Sequence, residues 1–154
     1  MSRTGRLMPS IIVGVMGNTR LTTLTPWEMD FGSLSRVQEG IATRKVKWDR
    51  RYQAKHGITR SAATELSPAL EARLDKLARR IYRSLGLSGY ARMDFRVRPD
   101  GEIFVLEANA NPCLAEAEDY ARSALSAGIS YPELLQRIVS LGLNYQAEWR
   151  AGYV

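Results

Sequence analysis

Residues 10–16, Ser-Ile-Ile-Val-Gly-Val-Met, form an apolar run too short for a core helix, which predicts a strand. A turn centred on Gly17-Asn18 follows, leading to a second strand over 20–25. From Pro26 to about Thr64 no period emerges, although the stretch holds Trp27, Trp48 and a dense run of cations. Connections of that length in a compact domain are often functional or mobile. Ser67-Pro68 then opens a helix, with an N-cap hydroxyl and a proline suited to its first turn. Leu70, Leu74, Leu77, Ile81 and Leu85 recur at three- and four-residue intervals, which buries one stripe, and Gly86 ends the helix. Tyr82 lies beside that stripe and reads as core. Two further helices are expected over 116–127 and 131–147, the second dominated by Leu134, Leu135, Ile138, Val139, Leu141 and Leu143. Strands, a helix, a strand pair and two helices make an α+β fold with an antiparallel sheet covered by helices on one side.

The strand pair carries the chemistry. Side chains alternate between the faces of a strand, so Tyr90, Arg92, Asp94 and Arg96 share one face, and Ala91, Met93, Phe95 and Val97 the other. A Pro99-Asp100-Gly101 turn leads to a second run, in which Ile103, Val105, Glu107 and Asn109 share a face. Register follows from matching the apolar faces. An even-length loop pairs Val97 with Phe104, Phe95 with Leu106 and Met93 with Ala108. It thereby sets Asp94 opposite Glu107 and Arg92 opposite Asn109. A three-residue loop would instead put Asp94 among apolar side chains. Two carboxylates about 5 Å apart at Cβ repel unless a cation or proton lies between them. Three outcomes satisfy that constraint. Magnesium suits two carboxylates and an amide oxygen completed by waters and phosphate oxygens. A shared proton would make a general acid-base pair. Arg92 and Arg96 would otherwise neutralise both acids in a surface network.

Composition narrows the setting. The 154-residue chain is one ordinary domain with 45% hydrophobic residues, and it contains no apolar run long enough to span a membrane. The basic, then apolar, N-terminus lacks a signal peptide's small-residue cleavage site. A net charge of +6 and a pI near 9.8 favour anionic ligands without choosing among them. Arg73, Lys76, Arg80 and Arg83 on the first helix, with the 44–51 cluster, allow a non-enzymatic module that binds an acidic partner or nucleic acid. No aromatic residues interleave with those cations for base stacking, which weighs against nucleic acid. The single Cys113 permits no internal disulfide and fits a reducing, cytoplasmic setting. The single His56, beside Gly57, reads as an exposed loop residue.

The stretch Gly89 to Cys113, followed by Ala127-Gly128-Ile129-Ser130-Tyr131, resembles the C-terminal lobe of the ATP-grasp fold, nearest to D-alanine–D-alanine ligases. The signature is Arg-x-Asp on one strand, then Glu-x-Asn and a proline-containing loop; here Arg92-Met93-Asp94, Glu107-Ala108-Asn109 and Pro112. The likeness is firm over residues 68–141 and looser over 10–60. It implies that Asp94, Glu107 and Asn109 hold Mg2+ bridging the phosphates of ATP, and that Arg92 steadies the acyl-phosphate. Lys47 matches the phosphate-contacting lysine, with Lys45 its neighbour. Asn111 and Cys113 fall in the substrate loop, where Cys113 replaces a customary glycine. The implied reaction joins a small carboxylate to an amine. The resemblance covers one lobe only, residues 10–148, flanked by a loose arm (1–9) and a tail (149–154). It therefore implies an incomplete ligase, inactive alone, whose partner is a missing N-terminal lobe or a second copy of the chain.

Overall fold

The computed structural model describes residues 10–32 and 49–146. The arm 1–9, Lys45, Lys47, Trp48, most of the basic cluster and the tail from 149 lie outside the described residues. Within them the order is β1 (Ser10–Met16), β2 (Thr22–Thr23), β3 (Trp27–Asp30), α1 (Arg50–His56), β4 (Thr59–Ala62), α2 (Pro68–Ser84), β5 (Tyr90–Val97), β6 (Ile103–Asn109), α3 (Asp119–Ser126) and α4 (Tyr131–Leu143). The sheet runs β4-β3-β1-β5-β6, every pairing is antiparallel, and β2 pairs with the end of β1. Seven consecutive buried residues make β1 the central strand. That explains its unbroken apolar run, since both of its faces are covered.

The expected cover on one side is half the arrangement. Ile11, Val13 and Val15 of β1, with Ala91, Met93 and Phe95 of β5, pack against Leu74, Ala78 and Tyr82 of α2. On the opposite face, Met16 and Leu24 pack against Tyr120, Ala121 and Ala124 of α3 and Leu134 of α4. Phe31 and Ile58 form a small separate cluster with Met29 and Tyr52. Between these two clusters the second face carries a trough.

Ser67 caps α2, its Oγ accepting from the Leu70 amide at 3.3 Å, and Leu74, Ala78 and Tyr82 are its buried residues. Leu85, expected in the stripe, lies past the last turn and is 57% exposed. Arg73, Lys76, Arg80 and Arg83 face solvent. The stretch read as irregular contains β3, α1 and β4. These strands are four residues each, mixed in character and paired with strands distant in sequence, so neither shows a period of its own. His56 is the last residue of α1, half-buried with its ring 4.3 Å from that of Tyr52, and not in a loop. The second strand contracts to Thr22–Thr23, because Leu24 bonds to the Gly14 carbonyl and Pro26 has no amide to continue the ladder. The last two helices begin or end several residues inside their expected limits.

Candidate functional site

The hairpin keeps the expected pairing where the acids lie and departs from it near the turn. Arg98 donates to Glu102 and Gly101 to Arg98, closing a three-residue loop with Gly101 at φ +83°. That left-handed position is one glycine adopts without penalty. Val97 accordingly faces Ile103, Arg96 faces Phe104, and Phe95 faces Val105. A bulge at Leu106 then adds one residue to β6, after which Asp94 faces Glu107, Met93 faces Ala108 and Arg92 faces Asn109. The odd loop and the bulge cancel. The even loop and the Phe95–Leu106 pairing are thus corrected, while the acid pair stands.

Residues directly opposite across antiparallel strands share a face. One row on the trough side therefore reads Trp27, Ile12, Asp94, Glu107, and the next reads Gly14, Arg92, Asn109. These rows floor a cavity of about 330 Å3, into which Asn111, Cys113, Arg60, Glu118 and Asp119 also reach. Gly14 sets the height of its far wall. A Cβ there would lie 2.7 Å from the Leu24 side chain and 3.0 Å from the Tyr120 ring, so a larger residue would force these side chains to shift. The Tyr120 hydroxyl, donating to the Val15 carbonyl at 3.0 Å, fixes that contact.

Asp94 is buried, and both of its oxygens accept from Arg92: Nε to Oδ1 at 2.7 Å and Nη2 to Oδ2 at 2.9 Å. Burial works against the charge on Arg92, but the Asp94 bonds and the charges of Asp94, Asp119 and Glu107 outweigh it and hold its pKa above the usual value. Arg96 is placed differently, 5.5 Å over the Phe31 ring, and burial lowers its pKa. Glu107 is exposed at the rim. Asn109 Oδ1 accepts from the Asn111 amide at 2.9 Å, and Asn111 Oδ1 accepts from Tyr90 at 3.0 Å, which shapes the loop leading to exposed Cys113. Lys47 lies outside the described residues.

Three charged residues went unnoticed in the sequence. Arg60 on β4 reaches across the cavity to Asp119 at 3.4 Å and Glu118 at 3.6 Å. Burial pushes the Asp119 carboxyl up, opposed by the Arg60 and Arg92 charges. An acidic pair at the start of a helix is the one signal that marks Glu118 and Asp119, and it equally marks an ordinary helix N-terminus. Arg60 sits in a four-residue strand without a pattern.

Among the described residues, no group of three or more His, Cys, Asp or Glu side chains gathers as a metal cage. The donor set present is two carboxylates and one amide, all hard oxygens, which fits a magnesium ion that takes its other ligands from water and phosphate. The buried indole N–H of Trp27, on the same cavity wall, has no hydrogen-bond partner among the described residues and is a ready donor to an acceptor oxygen.

Comparison with known proteins bears on the fold and the family. The chain is 35% identical over 98 residues to the D-alanine–D-alanine ligase of Nitratidesulfovibrio vulgaris, covering 60% of this chain and 32% of that protein. Its fold matches the D-alanine–D-alanine ligase of Coxiella burnetii with a TM-score of 0.69 at 20% identity, over 89% of this chain and 32% of that one. The Bacillus anthracis ligase complexed with ATP gives 0.64 at 25% identity, over 88% and 38%. The chain thus spans about a third of the length of the relatives it matches. The family model described as D-ala D-ala ligase C-terminus matches residues 7–140, and the chain belongs to that family.

Proposed function

We propose that this chain supplies the metal- and phosphate-binding side of an ATP-dependent carboxylate–amine ligase. The observation that carries the reading is the row placing Asp94 opposite Glu107, with Asn109 in the adjacent row, on the floor of one cavity. Asp94, Glu107 and Asn109 would hold Mg2+, whose charge offsets that of the ATP phosphates. Arg92, with a planar fork of donors, suits the oxygens of a transferring phosphoryl group. Lys47 is proposed as a further phosphate contact, and the loop through Asn111 and Cys113 as a wall of the substrate subsite. A carboxylate oxygen bonds to the γ-phosphorus as ADP leaves. The amine nitrogen then bonds to the acyl carbon, phosphate leaves, and the nitrogen loses its proton. The single Cys113 supports a reducing, cytoplasmic setting.

Calorimetric titration of the chain with Mg-ATP, beside Asp94→Asn/Glu107→Gln, tests the reading. Binding should weaken by about tenfold or more in the double variant, as expected when metal-supporting groups are lost. Equal affinity in both proteins would remove the site. Binding that ignores the substitutions and falls steeply with salt would point instead to the basic surface.

A further inference from the structure

Arg92 and the proposed cation lay claim to the same carboxylate. The guanidinium engages both oxygens of Asp94, at 2.7 and 2.9 Å. A divalent cation on Asp94 would stand next to that positive charge, and like charges at this range repel strongly in a partly buried site. Arg92 must then weaken its hold on Asp94, and a half-buried guanidinium released without a second partner is costly.

A second carboxylate lines the same cavity. Asp119 lines that cavity with Arg92, and its charge is among those that raise the Arg92 pKa. It is held by Arg60 at 3.4 Å, and the adjoining Glu118 shares that guanidinium at 3.6 Å. The backbone beneath it is seated by Tyr120 over Gly14, the residue directly opposite Arg92 in the ladder. Arg92 thus pairs with Asp94 on its own strand, while Asp119 lines the same cavity and pairs with Arg60.

We infer that Asp119, braced by Arg60, is the positioning residue for Arg92, taking over the guanidinium when a cation is bound at Asp94. The inference rests on the proposed function for Asp94 as a metal ligand. It makes the Asp94-to-Asp119 exchange the step that turns Arg92 from its own strand towards the open cavity, where a phosphoryl group would lie.

The test is a titration of the full chain with Mg2+, followed by the Arg92 Nε–Hε signal in proton–nitrogen spectra, with affinities from Mn2+ paramagnetic resonance. In wild type the signal should move on saturation yet stay protected from solvent exchange. In Asp119→Asn it should lose that protection, with cation affinity about tenfold weaker, the usual size of an outer-partner loss. Asp119→Glu should restore both, and Asp119→Ser takes the place of the asparagine variant if that one fails to fold. Arg92→Gln should bind Mn2+ about tenfold more tightly, because the competing charge is gone. Unchanged protection and affinity in Asp119→Asn would overturn the inference while leaving the metal reading intact. Wild-type affinity in Asp94→Asn, or no Mn2+ binding by the wild type, would remove the metal reading and the inference with it.

Discussion

Tyr82 carries its hydroxyl through the buried interface between α2 and the sheet and donates to the Gly17 carbonyl at 2.7 Å. Burial pushes its pKa up to about 12 from an ordinary 10.0. Tyr120 moves the same way, through burial first and then the neighbouring Tyr82 and Tyr90. A raised folded-state pKa means that the unfolded chain loses its proton first. The stability contributed by Tyr82 is therefore fully present below pH 10 and is lost as pH rises through 12. Urea unfolding across that window should show the free energy falling by a few kcal/mol at most, since each tenfold difference in proton affinity is worth about 1.4 kcal/mol. Tyr82→Phe should cost about 1 kcal/mol at neutral pH through the lost hydrogen bond, and should flatten the alkaline decline. An unchanged decline in that variant would place its cause elsewhere.

Within α4 the apolar residues divide sharply. Leu134 is fully buried against α3, whereas Leu143 is 82% and Val139 60% exposed. Sequence pattern treats these leucines alike, but their energies should differ. Leu134→Ala is expected to cost about 2–5 kcal/mol, as a core truncation that leaves a cavity. Leu143→Ala should stay within about 0.5 kcal/mol. Paired thermal or chemical denaturation of the two variants checks this, and equal losses would mean that Leu143 is covered in solution. The β5–β6 hairpin shows the same division between pattern and placement, since its bulge leaves Phe104, Val105 and Leu106 all partly exposed on an edge strand.

At the scale of the molecule, the sheet separates a filled face from a working one. α2 seals the first, and α3 and α4 cover only one end of the second, so the cavity opens where cover stops. Gly14 is where the second layer rests on the sheet. Gly14→Ala should lower stability by about 1–3 kcal/mol, the usual cost of overpacking. By lifting Tyr120 and Asp119 it should also weaken Mg2+ binding. Denaturation and cation titration of one sample measure both, and a loss of stability with undisturbed cation binding would show that the height of α3 does not shape the site. No helix among the described residues is long and apolar enough to cross a membrane.

Local pattern alone determined a good deal of this protein. The caps and stripe of α2, the central strand and the run from Arg92 to Asn109 were legible because each is set by neighbours a few residues away. The Asp94–Glu107 pairing followed from the parity of a strand, which a turn and a bulge changed twice and so preserved. Tertiary structure decided the rest. β3 and β4 exist through each other, and four mixed residues hold no period. Arg60 meets Asp119 only because the sheet brings β4 to the start of α3. Strand parity also could not reveal that Arg92 grips both oxygens of Asp94, because rotamer and burial settle that contact. Short-range periodicity records which face a residue occupies, whereas the partner it meets there depends on chain segments far away in sequence.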